Sequence, residues 1–368
     1  VSRSLVYLTA TALFSISAST LAQVAGSDEP LHQIAFGSCA KERFSQPIWE
    51  AIGACRPDLF LFLGDNIYGD TDDMKVLREK YEVLGAKEGF AAIREMCPVL
   101  ATWDDHDYGR NDAGAEYEHK EASQQILMDF FGEPEDSPRR KQEGVYGSWS
   151  FGSEGAIVQV LLLDTRYHRT EIRKAPTEER PKNSNYFGPY QTSTEDGATI
   201  LGETQWAWLE EELKKSADLR IIGTSIQLIP NGHWWEKWGL FPNERDRFFQ
   251  LVRDTRANGV ILVSGDRHLS EVNRVPAHAI PDGVGYPLHE VTSSGLTQAG
   301  GGSRSEPSAQ RLHPIFKSRN FGLLSIDWEK REVTMEIRNE EGEPMNSTTV
   351  DIDSLHPPVL DEEADKKK

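Results

Sequence analysis

Four apolar runs in this chain each end in a cluster of metal-type side chains. Ile34 to Phe36 leads into Gly37-Ser38-Cys39, and Leu59 to Leu63 leads into Gly64-Asp65-Asn66-Ile67-Tyr68. Pro98 to Thr102 leads into Trp103-Asp104-Asp105-His106-Asp107, with Asn111 and Asp112 close behind. Val260 to Val263 leads into Ser264-Gly265-Asp266-Arg267-His268. An open α/β sheet collects its functional groups in this way, at the carboxyl ends of its strands. Few other architectures bring segments so far apart in sequence to one edge.

Helical periodicity fits Gln46–Ala54, Asp72–Leu84, Gly89–Met96, Glu116–Phe131, Glu203–Lys215 and Asn243–Asn258. Strands fit Gln33–Phe36, Leu59–Leu63, Val99–Trp103, Tyr146–Phe151, Ala156–Asp164, Arg220–Ser225 and Val260–Ser264. This alternation predicts a layered α/β fold. Near the C-terminus, Leu288–Thr292, Gly322–Asp327, Glu332–Arg338 and Ser347–Ile352 read as strands, the last three joined only by turns. A second sheet with antiparallel pairs is expected there. Gly132–Gly144, Thr170–Gly202 and Ala299–Ala309 read as long polar insertions, a length usually tied to function or mobility. Residues 361–368 read as a disordered charged tail.

The formal net charge of −19 argues against nucleic acid, or an anionic membrane surface, as a sequence-independent partner. It also means that a site for an anionic substrate needs local positive charge. Arg3 followed by the short apolar stretch Leu5 to Ile16, with Thr20 and Ala22 beyond it, reads as an export signal over residues 1–22. The mature protein is then expected to be periplasmic or extracellular, with no stable membrane span. Export makes the three cysteines informative, because disulfides persist outside the cytoplasm. Cys55 and Cys97 each precede a predicted strand at the end of the sheet away from the ligands. A Cys55–Cys97 disulfide is expected, with Cys39 left as a thiolate ligand; three buried thiols are the alternative.

Asp65 has two oxygens and is able to bridge two cations. Gly64 allows close backbone approach beside it. Tyr68 either reaches the same centre as a phenolate, which a hard ferric ion binds well, or packs beneath the loop. Asp266 and His268 are separated by one residue, so on an extended strand end they face the same way. Their oxygen and nitrogen suit adjacent ions: oxygen donors favour calcium, magnesium or manganese, and imidazole with thiolate favours iron or zinc. Three acids and a histidine at Asp104 to Asp107 are costly unless cations or hydrogen bonds compensate. Arg166 follows the strand ending in Asp164. It is either a phosphate clamp, since guanidinium matches phosphate in fork geometry, or the partner of Asp164. Arg169 and Arg267 are weaker candidates for the same task. The tryptophans of Asn231 to Trp238 either wall a pocket or pack in the core.

Taken together these motifs resemble the alkaline phosphatase D (PhoD-like) family. The resemblance rests on Phe36-Gly37-Ser38-Cys39, Leu63-Gly64-Asp65-Asn66-Ile67-Tyr68 and Trp103-Asp104-Asp105-His106-Asp107-Tyr108-Gly109 with Asn111-Asp112. It extends to Leu163-Asp164-Thr165-Arg166, Leu201-Gly202 with Gln205 and Trp208-Leu209, and Ser264-Gly265-Asp266-Arg267-His268. It implies a four-layer α-β-β-α sandwich with two mixed sheets over about residues 30–355. It also implies two metal positions. Iron would be held by Cys39, Asp65, Tyr68 and His268. Calcium would share Asp65 and add Asp266 with either Asp105 or Asn111. His106 would stand near the leaving-group oxygen.

The expected activity is hydrolysis of small or polymeric phosphate esters by a cation-activated water. His106 would act as general acid, with Asp105 and Asp107 orienting its ring and raising its pKa. Three rivals remain at this stage. One is the same chemistry on phosphodiesters such as phospholipid headgroups or teichoic-type polymers. Another is a non-catalytic exported calcium-binding protein, and the last is an iron oxidoreductase.

Overall fold

The computed structural model describes residues 27–180, 188–301 and 306–358. The predicted export signal and the C-terminal tail fall outside these residues. Two six-stranded sheets face each other, with strand orders β12-β11-β10-β1-β2-β3 and β4-β5-β6-β7-β9-β8. In the first, β1 (Gln33–Gly37), β2 (Leu59–Leu63) and β3 (Val99–Thr102) run parallel. In the second, β5 (Val158–Leu162), β6 (Leu219–Thr224), β7 (Val260–Ser264) and β9 (Leu288–Ser293) are parallel. β4 (Gly147–Phe151) and β8 (Ser270–Val275) flank them antiparallel.

The continuous apolar runs of the parallel strands have a simple cause: both of their faces are buried. In β2, Leu59, Leu61 and Leu63 point into the core between the sheets. Phe60 and Phe62 point the other way, against the helices. There Trp49 of α1 (Ile48–Ala54) meets the rings of Phe60 and Phe62 at 5.3 and 5.8 Å. Helices α2 (Met74–Gly85), α3 (Glu88–Met96) and α5 (Lys120–Phe131) complete that outer layer. Trp206 and Leu209 of α6 (Gly202–Leu213), and Phe248 of α7 (Pro242–Asp254), pack on the second sheet.

The C-terminal strands correct one expectation. β10 (Asn320–Asp327), β11 (Glu332–Asn339) and β12 (Pro344–Asp351) do not build a separate sheet. They extend the first one, because β10 pairs antiparallel with β1, Phe36 opposite Gly322. A Cβ at Gly322 would lie 2.1 Å from the Phe36 ring, so glycine is what permits the pairing. Two elements escaped the pattern. The polar sequence of β8 hides a strand whose Glu271 and Asn273 are buried and bonded to Gln227 and Ser308. The four-residue helix α4 (Asp105–Tyr108) is too short to show periodicity.

The expected Cys55–Cys97 disulfide is not formed; Cys39, Cys55 and Cys97 are all free thiols. The Cys55 Sγ turns back over its own helix, 3.4 Å from the Ala51 carbonyl, and faces the Arg338 guanidinium. Cys97 is buried with the helix-side core. Among the described residues no helix is long and apolar enough to cross a membrane.

Candidate metal centre

The site stands where β1, β2, β3 and β7 end. Cys39, Asp65, Asp266 and His268 all have left-handed backbone, at φ 62°, 52°, 68° and 53°. Such conformations cost about 1–3 kcal/mol each and concentrate at functional sites. Gly64, at φ 94°, lets the β2 turn press against the β3 end, since a Cβ there would lie 2.5 Å from that of Asp104.

Among the described residues, ligand atoms converge in three groups, each within 4.8 Å: Cys39, Asp65 and His268; Asp65, Asp105 and His106; Asp105, Asp112 and Glu236. Asp65 belongs to two of them, the placement that a bridging carboxylate would have. Tyr68 stands beside the first, its hydroxyl 2.9 Å from His268 Nε2. Between Asp105 and Asn111, the geometry favours Asp105. The Asn111 amide instead donates to Asp112 Oδ2 at 2.6 Å. Asp266 falls in none of these groups; Asp104, Arg267, Asp105 and Glu236 are the charges that act on it. Asp112, named from the sequence only as part of the Asn111-Asp112 motif, and Glu236, not named as a ligand at all, join the third group. Glu236 lies inside a tryptophan-rich loop that offered no ligand pattern.

The electrostatics are those of carboxyls crowded away from water. Burial, and then Cys39, hold the Asp65 carboxyl well above the usual range. Asp266 is raised in the same way, by burial and then by Asp104. Burial pushes Asp104 to about 7, Asp112 to about 6 and the Cys39 thiol to about 12. Asp105 is held low against its burial by His106 and Arg166. Asp65 Oδ1 and Asp104 Oδ2 are buried with no hydrogen-bond partner. Orphaned oxygens and a thiol that holds its proton fit a cation site, where binding is coupled to proton release. Cys39, Asp65 and His268, with Tyr68 at hand, fit a softer ion. Asp65 and Asp105 fit a harder one.

His106 differs from expectation in one respect. Asp107 does not orient it. Asp107 instead accepts the backbone N–H groups of Asp104, Asp65 and Asn66 and the Tyr81 hydroxyl. Asp70, just after the β2 motif, lies 2.7 Å from His106 Nδ1. Burial would lower the histidine pKa, but Asp105, Asp65 and Asp70 outweigh it and push it up to about 10.

Arg166 is fully buried beneath the carboxylates. Its Nε and Nη2 donate to Asp104 Oδ1, and Nη1 lies 2.8 Å from Glu236 Oε2 without hydrogen-bond alignment. The ion-pair reading therefore holds in kind, with Asp104 and not Asp164 as the partner. Asp164 accepts the backbone N–H groups of Val145, Arg166 and Tyr167. Arg169 and Arg267 are likewise paired, to Glu236 and Glu306. Of the loop tryptophans, Trp238 is core, bonded to Thr224.

The family model described as PhoD-like phosphatase matches residues 34–337. The chain belongs to the PhoD-like phosphatase family. Alkaline phosphatase D of Bacillus subtilis (strain 168) is 21% identical over 288 residues, which cover 67% of this chain and 47% of that protein. This PhoD-like chain thus spans about half the length of the curated relative it matches. A solved structure of PhoD superposes with a TM-score of 0.69 at 17% identity, over 92% of this chain and 74% of that one. A dimetal phosphatase from Danio rerio follows the same fold, with a TM-score of 0.52 at 12% identity over 88% and 100% of the two chains. So does GAP50, the anchor in the inner membrane complex of Plasmodium, with a TM-score of 0.55 at 13% identity over 90% and 91%. These likenesses establish the four-layer sandwich of the PhoD-like chain.

Cys39 lies in only one of these ligand groups, so it tests whether two separate metal positions exist. Cys39→Ser is expected to lower the content of one metal by about a stoichiometric equivalent and leave the other in place. Elemental analysis checks this; equal loss of both metals would count against separate positions.

Proposed function

We propose that this chain hydrolyses phosphate esters at a centre of two cations. The observation that carries the reading is Asp65, shared by two ligand groups and left with one oxygen unsatisfied. By family resemblance, iron would be held by Cys39, Asp65, Tyr68 and His268. Calcium would be held by Asp65, Asp105 and Asp266 at the oxygen-rich position. When bound, such ions neutralise charge on the phosphoryl group and make a water acidic enough to attack phosphorus.

The chain's own residues supply the rest. His106 Nδ1 is held by Asp70, which leaves Nε2 for the leaving-group oxygen. As the bond from phosphorus to that oxygen breaks, His106 gives it a proton and the alcohol departs neutral. The Tyr68 ring packs on the imidazole, centroids 4.1 Å apart, and fixes its tilt. Export to the periplasm or the exterior belongs to the same proposal and is supported by the apolar stretch after Arg3. Fractionation of the producing cells tests it.

His106→Ala is expected to lower kcat by roughly 10²–10⁴-fold, the usual weight of general-acid catalysis, with metal content retained. Loss of metal in step with activity would contradict the acid role. Asp70→Asn gives a finer test. Asp70 raises the His106 pKa, and activity fades as pH rises through that pKa. Without Asp70 the alkaline limb of the kcat profile should move to lower pH. Parallel assays on a monoester and a diester decide which ester class is preferred.

A further inference from the structure

A phosphate ester arriving at this centre meets mostly carboxylates, and the nearby cations are already committed. Arg166 is held by Asp104 and Glu236, Arg169 by Glu236, and Arg267 by Glu306. Arg110 is paired with Asp72. Lys80 donates to the carbonyls of Tyr68 and Gly69. Lys41 is different. Among the described residues its ammonium has no ion-pair or hydrogen-bond partner. It lies only against aromatic rings, 4.6 Å from the centre of Tyr68 and 5.9 Å from that of Phe44.

Tyr68 joins this cation to the centre. Its hydroxyl is 2.9 Å from His268 Nε2. The position of Lys41 is fixed from both sides of its backbone. Its N–H donates to Thr297 Oγ1 at 2.7 Å. Its carbonyl accepts the Phe44 N–H at 3.0 Å and the Gln46 amide at 3.2 Å. An anchored backbone thus presents a half-buried cation without a counter-ion, two residues from Cys39, in a protein of net charge −19.

We propose that Lys41 is a substrate-binding residue whose ammonium takes a non-bridging phosphate oxygen and favours dianionic monoesters over monoanionic diesters. The proposal rests on the reading of the site as a phosphoester hydrolase. Its physical basis is that a charge-assisted hydrogen bond strengthens with the charge on the acceptor.

The test uses the cation-loaded full chain as wild type, Lys41→Met and Lys41→Arg. Calorimetry with inorganic phosphate gives affinity without turnover. Kinetics on p-nitrophenyl phosphate and bis(p-nitrophenyl) phosphate give the preference between esters. Lys41→Met should weaken phosphate binding roughly 10- to 100-fold, and Lys41→Arg by no more than a few-fold. The monoester KM should rise more than kcat falls, and the monoester-to-diester ratio of kcat/KM should drop about tenfold. Melting temperature and metal content should stay the same, because methionine keeps the apolar stem over the Tyr68 ring. Unchanged phosphate affinity, an equal loss on both esters, or a parallel loss of metal would overturn the proposal. So would a wild-type protein that binds no phosphate. If the wild type binds phosphate through Lys41 yet hydrolyses neither ester, Lys41 stands as an anion-binding residue and the hydrolase reading fails.

Discussion

Asp65→Asn is expected to lower kcat/KM on a phosphate ester by about 10³-fold, a loss of about 4 kcal/mol in transition-state stabilisation. The same variant should lose metal from both positions. Asp65 is the one carboxylate common to the Cys39 and His268 group and to the Asp105 and His106 group. An amide has one oxygen where the carboxylate has two, so it cannot bridge. Asparagine also tolerates the left-handed backbone at this position, so backbone strain does not confuse the result. Stability should move the other way. Burial already holds the Asp65 carboxyl well above its usual pKa, and one of its oxygens has no partner. In chelator, therefore, the variant should melt at the same temperature as the wild type or higher. A clear fall in melting temperature under those conditions, with metal retained otherwise, would mean that Asp65 is structural.

Arg166→Met has the opposite signature. Removing one partner of a buried ion pair leaves an uncompensated charge and costs about 3–5 kcal/mol. Here buried Asp104 is stranded, while buried Glu236 loses one of its two arginines and keeps Arg169. Denaturant unfolding should show the loss directly. The deficit should grow as pH rises. Asp104 is already raised to about 7, by burial first and with Arg166 as the main opposing influence. Without that opposition its folded pKa rises further. A carboxyl raised in the folded state loses stability as pH climbs towards and through that pKa. Below the unfolded carboxyl range Asp104 is protonated in both states and the cost shrinks. Adding Asp104→Asn should restore part of the loss, since the two sites share one interaction. If Arg166 were a substrate clamp, Arg166→Met would raise KM and leave stability within about 0.5 kcal/mol.

The strand ends were legible from the sequence because parallel strands buried on both faces read as unbroken apolar runs, and the ligands follow them within a few residues. Cys39, Asp65, Asp105 and His268, all named from those strand ends, do converge in ligand groups; Asp266 enters none of them. Glu236 and Asp70 carried no ligand or orienting signal, because their neighbours depend on which loops meet above the sheet, and no local pattern encodes that. The fate of Arg166 was half legible: an ion pair was one of two readings beside a phosphate clamp, and its partner Asp104 follows β3 and not its own turn. The sheet assignment of β10 to β12 failed for a related reason. Hairpin signals reveal that strands pair with each other, but not which distant strand they join. The disulfide was inferred from compartment and sheet end alone, and the Cys55 thiol turned out to face its own helix.

The pairing of β1 with β10 has a temporal consequence. Gln33 lies opposite Ser325, so β1 stays unpaired on one side until β10, far along the chain, has been made. Contacts of such long sequence separation are slow to form, because the loop-closure entropy is spent before they stabilise anything. Cys39 hangs from the end of that same strand. A cation site built on that strand end would be completed late in folding. If so, the fold should be attainable in chelator and chargeable with metal afterwards, which refolding in chelator followed by metal titration checks.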